Sequence, residues 1–136
     1  MELLISKTDL PSGPYLVEAE GEIDIATVNR LEAVLRDAIV EGHRPILLDL
    51  GRCSYMDSTG LRAVLSAHKA LRADDDESPG FAVVVAQSSL IKLFELTRLD
   101  QAVRIVPSRE AGILLLDGAG TLTAGPRSSV DRASDF

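Results

Sequence analysis

The sequence predicts one α/β domain, and three observations carry that expectation. The short apolar run Pro45-Ile46-Leu47-Leu48-Asp49-Leu50 has the length and hydrophobicity of a strand covered on both faces, and Phe81-Ala82-Val83-Val84-Val85-Ala86 reads as a further strand in which alternation resumes. Around them lie stretches whose apolar residues recur every three or four positions, the period of a helix packed on a sheet. The 136 residues contain no second composition regime large enough for another core, so one domain of roughly 110 to 120 residues is the natural unit.

Residues 3–5 and 15–20 read as extended segments separated by Pro11, Gly13 and Pro14, a first hairpin feeding the sheet. From Ala26 the period changes. Val28, Leu31, Leu35, Ala38 and Ile39 share one face of a helix running to about Glu41, with Glu32, Arg36 and Asp37 elsewhere and Gly42 as its stop. Residues 45–50 form the central strand, which ends at Gly51 with a polar loop behind it.

A second helix starts near Ser58. Leu61, Val64, Leu65, His68 and Leu71 are expected on its sheet-facing side, and Arg62, Ser66, Lys69 and Arg72 on the other. The acidic loop Asp74-Asp75-Asp76-Glu77 precedes the strand at 81–86, and Ser88 or Ser89 caps a short helix through Leu96. A short strand around 103–106 and a last helix from Ser108 complete the ordered part, 1–117. Gly112 weakens that helix, and 114–116 supply its apolar contacts. Residues 118–136 carry too few apolar side chains to offset their ordering entropy and read as a disordered tail.

Composition excludes several classes of function. Hydrophobic residues make up 46% and aromatics 4%, with no Trp, so aliphatic side chains fill the interior. A formal net charge of −7 opposes a nucleic-acid partner, whose phosphates demand a basic stripe. Cys53 stands alone, which rules out an intramolecular disulfide, and His43 and His68 share no zinc-ligand spacing with it; a reducing, cytoplasmic compartment is expected. No run approaches the ~20 apolar residues of a membrane span. No phosphate-cradling glycine loop and no nucleophile–base pair is present, so neither a cofactor nor an enzymatic activity is expected. His68 reads as a core-edge residue. Cys53 is either a reactive thiol beside the site or an inert buried one. The carboxylates Asp24, Asp49 and Asp57 invite a magnesium or phosphoaspartate reading, but the two-strand opening and the lack of a lysine on a late strand oppose it.

The informative stretch is Asp49-Leu50-Gly51-Arg52-Cys53-Ser54-Tyr55-Met56-Asp57-Ser58-Thr59-Gly60-Leu61, where a buried strand gives way to a helix. Open α/β sheets place their sites at such strand exits. Ser58 is either the helix N-cap, contributing about 1 kcal/mol, or an exposed hydroxyl available for phosphorylation at a helix start whose unpaired N–H groups tolerate an anion. Thr59 is the competing hydroxyl. Gly60 costs about 1 kcal/mol in a helix relative to Ala, which implies either a close approach of another group or relief of packing against the sheet. Asp57 either complements the helix dipole or orients the neighbouring hydroxyl.

Asp57-Ser58-Thr59-Gly60-Leu61, preceded by Leu48-Asp49-Leu50 and Met56, resembles the phosphoserine motif of the STAS family, in particular the bacterial anti-sigma factor antagonists. Gly21-Glu22-Ile23-Asp24 resembles an earlier signature of that family, and Leu93-Phe94-Glu95-Leu96-Thr97-Arg98-Leu99-Asp100 its late helix and turn. The resemblance runs from Gly13 to Leu116. It implies a mixed four- or five-stranded sheet with helices mainly on one side. It further implies that an anti-sigma factor with serine kinase activity phosphorylates Ser58, that the unphosphorylated protein binds this partner and frees a sigma factor, and that a metal-dependent serine phosphatase resets the switch. Asp24, Asp57, Ser58, Thr59, Gly60 and Arg62 are the implied partner-binding residues, and a monomer or weak dimer is implied. The alternative within the family is a constitutive interaction module of a lipid-transport or stressosome-like complex. The chain departs from the family in its acidic 74–77 loop and its long tail.

Overall fold

The computed structural model describes residues 2–11, 13–72 and 80–122; the acidic segment 74–77 and residues 123–136 lie outside them. In chain order the elements are β1 (Leu3–Asp9), β2 (Tyr15–Ile23), α1 (Val28–Val40), β3 (Ile46–Asp49), β4 (Cys53–Met56), α2 (Ser58–Leu71), β5 (Phe81–Val84), α3 (Ser88–Leu96), α4 (Leu99–Ala102), β6 (Ile105–Val106) and α5 (Arg109–Leu122). The first hairpin is antiparallel, Leu3 opposite Gly21 and Asp9 opposite Tyr15. Every other strand pair is parallel, in the order β1-β2-β3-β5-β6, with β4 also on β2.

The mixed sheet and the helical layer match the expected class, and β4 and β6 raise the described strands to six. β4 stands where a polar loop was expected. β3 leaves β2 at Glu18–Asp49 and β4 resumes at Gly21–Cys53, so three residues of β2 are matched by four of the neighbouring segment, and a second irregularity follows at Gly21–Glu22. Cys53 and Met56 are buried while Ser54 and Tyr55 are exposed, a pattern without the two-residue alternation that announces a strand.

Two cores flank the sheet. Val17, Ile46, Leu48 and Val83 face the larger one, beneath α1, α2, α3 and α4; Leu16, Leu47, Ala82 and Val84 alternate onto the smaller one, beneath α5. Helices therefore lie mainly on one side, as expected. α1 buries Val28, Leu31, Leu35 and Ala38, with Ile39 at its edge. The buried face of α2 differs from expectation: it is Gly60, Ala63, Val64, Ala67 and Leu71, while Leu61, Leu65 and His68 are only partly buried. Small side chains let the helix axis approach the sheet, and the larger leucines wedge alongside.

Gly112 shows the same economy in α5, because a Cβ there would lie 2.5 Å from Leu47 Cδ1. Ser108 caps α5 through its hydroxyl, which accepts from the Ala111 N–H at 3.1 Å. At α3 the N-cap is Gln87 rather than Ser88 or Ser89, with no side-chain cap bond. The last helix continues to Leu122, so the boundary expected after residue 117 falls inside α5. Once a helix is nucleated each further residue adds a hydrogen bond, and α5 runs on through Gly118 and Gly120 despite their low propensity.

Candidate functional site

The site forms where β2 and β4 end side by side. Ile23 pairs with Met56, and the Asp57 N–H donates to the Ile23 carbonyl at 3.2 Å, which sets the turn into α1 beside the start of α2. Asp24 and Asp57, distant in sequence, thereby occupy neighbouring loops.

Each carboxylate organises its own helix start. Asp24 Oδ1 accepts from the N–H groups of Ala26 (2.9 Å) and Thr27 (3.2 Å). The Thr27 hydroxyl, buried, accepts from the Asp24 N–H at 3.0 Å and donates to the Glu22 carbonyl at 2.9 Å. This tight turn lifts Ile25 out of the surface, 76% exposed.

At α2 the N-cap is Asp57, not Ser58. Its backbone is extended and its Oδ1 accepts from the N–H of Thr59 at 3.0 Å and of Gly60 at 3.3 Å. The Thr59 hydroxyl donates to the same oxygen in a short bond. That hydroxyl contact, reinforced by the Gly60 and Thr59 amides, holds the Asp57 carboxyl below the ordinary carboxylate range. Asp57 and Ser58 are both good capping residues, and the one-residue offset follows from where β4 releases the chain.

Ser58 is consequently the first helical residue, exposed, with no side-chain hydrogen bond among the described residues. Its neighbour Thr59 is half-buried and engaged. Asp57 thus orients the hydroxyl of Thr59, not that of Ser58. Gly60 is buried, and a Cβ there would lie 2.6 Å from Met56 Cγ and 2.9 Å from Ile23 Cγ2, both on strands, so the close approach of other groups and the relief of packing against the sheet are one and the same feature. Arg62 is exposed one turn along from Ser58, at the i+4 position.

Two exposed apolar side chains that were not anticipated lie on the segments leading into the two helix starts. Ile25 projects from the β2–α1 turn, and Tyr55, 49% exposed, precedes Met56 on β4. Ile25 belongs to no apolar stripe of the sequence and is flanked by a helix-start aspartate, which is the signal that could have marked it.

The remaining candidates stand apart. Asp49, only 6% exposed, points to the smaller core, where Arg109 Nε donates to its Oδ2 at 3.0 Å and the Gly51 N–H to its Oδ1 at 2.8 Å. Arg109 also meets Glu18 at 3.2 Å. The bond to Asp49 raises the Arg109 pKa further. Asp24, Asp49 and Asp57 therefore do not converge. Cys53 is buried and its thiol donates to the Tyr55 carbonyl at 3.2 Å; burial pushes its pKa up, away from thiolate character. His68 lies at the core edge as expected, its pKa lowered by burial and by Arg72 and Arg104. No helix among the described residues is long and apolar enough to cross a membrane.

The STAS domain model matches residues 7–112. The anti-sigma-B factor antagonist of Staphylococcus aureus is 36% identical over 91 residues, covering 67% of this chain and 82% of its own. Among solved structures, an anti-sigma factor antagonist from Mycobacterium paratuberculosis superposes with a TM-score of 0.76 at 22% identity, covering 85% of this chain and 94% of that one. The unphosphorylated form of the anti-sigma factor antagonist SpoIIAA gives 0.62 at 20% identity, covering 82% and 94%.

Proposed function

The chain belongs to the STAS domain family, and from that premise we propose that it is an anti-sigma factor antagonist whose binding is switched off by phosphorylation of Ser58. The observation that carries the proposal is the state of that residue: an exposed serine whose hydroxyl is unengaged among the described residues, at the start of α2, beside the loop that carries Asp24 and Ile25.

Unphosphorylated, the protein binds an anti-sigma factor that is also a serine kinase, and a sigma factor is released. Ile25 and Tyr55 supply desolvated apolar contact, while Asp24 and Arg62 supply polar contact at its rim, the usual anatomy of an interface. The kinase transfers the γ-phosphoryl group of ATP. A bond forms from Ser58 Oγ to phosphorus as the bond to ADP breaks, and the hydroxyl proton leaves to a base on the kinase.

The product adds about −1.5 to −2 charges beside Asp24 and Asp57. Partner groups that accepted a neutral hydroxyl then face a dense anion, and each 1.4 kcal/mol of lost affinity is tenfold in Kd. A serine phosphatase restores the binding form. The chain serves as ligand and phosphate acceptor rather than as catalyst, in the cytoplasm, as a monomer or weak dimer.

The test combines the wild type, Ser58→Ala and Ser58→Glu with the candidate anti-sigma kinase. Ser58→Ala binds and resists ATP-dependent release, and Ser58→Glu binds weakly. Equal binding by all three would instead favour a constitutive STAS interaction module.

A further inference from the structure

Two hydroxyls sit side by side at the start of α2, and a kinase that reaches one comes within a residue of the other. The structure treats them differently. Ser58 is exposed and makes no side-chain hydrogen bond among the described residues, whereas Thr59 is half-buried and its hydroxyl donates to Asp57 Oδ1 in a short, charge-assisted bond. The same carboxylate oxygen takes the amides of Thr59 and Gly60, so it is fixed from three directions.

We propose that Asp57 is a specificity-determining residue: it masks Thr59 and so confines phosphorylation to Ser58. This rests on the reading of Ser58 as the phosphate acceptor. For Thr59 to attack phosphorus, its oxygen must rotate out of the Asp57 bond and leave the carboxylate, held then by the two amides alone, facing the anionic triphosphate. Neither cost applies to Ser58. A hydrogen bond to a charged group is strong enough that its loss alone slows transfer to Thr59 by roughly ten- to a hundredfold. The helix start therefore presents one acceptor although the sequence offers two.

The experiment compares wild type, Ser58→Ala, Asp57→Gly and the Ser58→Ala/Asp57→Gly double variant, glycine being a tolerated N-cap that lacks the carboxylate. Each is incubated with the anti-sigma kinase and ATP and mapped by peptide mass. In parallel, the Thr59 hydroxyl proton is followed by NMR without kinase. The expected result is phosphate on Ser58 in wild type, only slow transfer to Thr59 in Ser58→Ala, and transfer to Thr59 at least about tenfold faster in the Ser58→Ala/Asp57→Gly double variant. The hydroxyl proton exchanges slowly in wild type and fast in Asp57→Gly.

Phosphate on Thr59 of Ser58→Ala, at the rate seen in the double variant, overturns the masking role. If no protein takes phosphate, the acceptor reading of Ser58 fails and the hydroxyl signal decides the masking alone: equally fast exchange in wild type and Asp57→Gly overturns it, and protection only in wild type supports it.

Discussion

The Asp57 N–H and the Ile23 carbonyl, 3.2 Å apart, join the start of α2 to the last residue of β2, and through this bond two sequence-distant aspartates come to frame one surface. The stability of that junction depends on the cap at Asp57 and on the packing beneath Gly60.

Removing the Ser58 hydroxyl leaves the fold intact. Because Asp57 holds the cap, Ser58→Ala changes unfolding free energy by less than about 0.5 kcal/mol, the range of neutral surface substitutions. Urea denaturation checks this; a loss near the ~1 kcal/mol of a true N-cap would return the capping role to Ser58.

Asp57→Ala, in contrast, lowers the melting temperature by freeing the Thr59 and Gly60 amides and the Thr59 hydroxyl. Asp57→Asn isolates the charge. The folded carboxyl titrates below its ordinary value of 3.8, so its ionisation stabilises the fold above that value, and the contribution is lost as pH falls through the lower folded-state value. Melting curves of wild type and Asp57→Asn should therefore differ at pH 7 and converge in strong acid.

Gly60→Ala destabilises the protein by about 1–3 kcal/mol despite the better helix propensity of alanine, because the added methyl collides with Met56 and Ile23. Shortening Met56 to Val in the Gly60→Ala background recovers part of the loss. Additive losses in the double-mutant cycle would contradict the contact.

Arg109→Ala leaves the Asp49 carboxylate buried with only the Gly51 amide as partner. The expected loss is about 1–3 kcal/mol, moderated because Arg109 is itself 39% exposed and screened by solvent. Adding Asp49→Asn, which removes the orphaned charge, restores part of the stability in urea titrations.

Much of this was legible in the sequence. The apolar runs at 46–49 and 81–84 became adjacent parallel strands, the period of α1 named its buried residues, and the helix start fell at Ser58. The misreadings have physical causes. Hydrophobic periodicity counts Leu61 and Leu65 above Gly60, Ala63 and Ala67, yet the small residues face the sheet because they permit closer packing. β4 was hidden by a bulge that breaks alternation. The pairing of Asp49 with Arg109 bridges sixty positions of sequence, and only the fold brings them together.

The most direct test of the central claim is peptide mapping by mass after incubation with ATP and the anti-sigma kinase, joined to a binding measurement on the product. The account predicts one phosphate, on Ser58, and loss of kinase binding by the phosphorylated protein. Intact binding with Ser58 fully phosphorylated, or binding with no phosphate transferred, would contradict it.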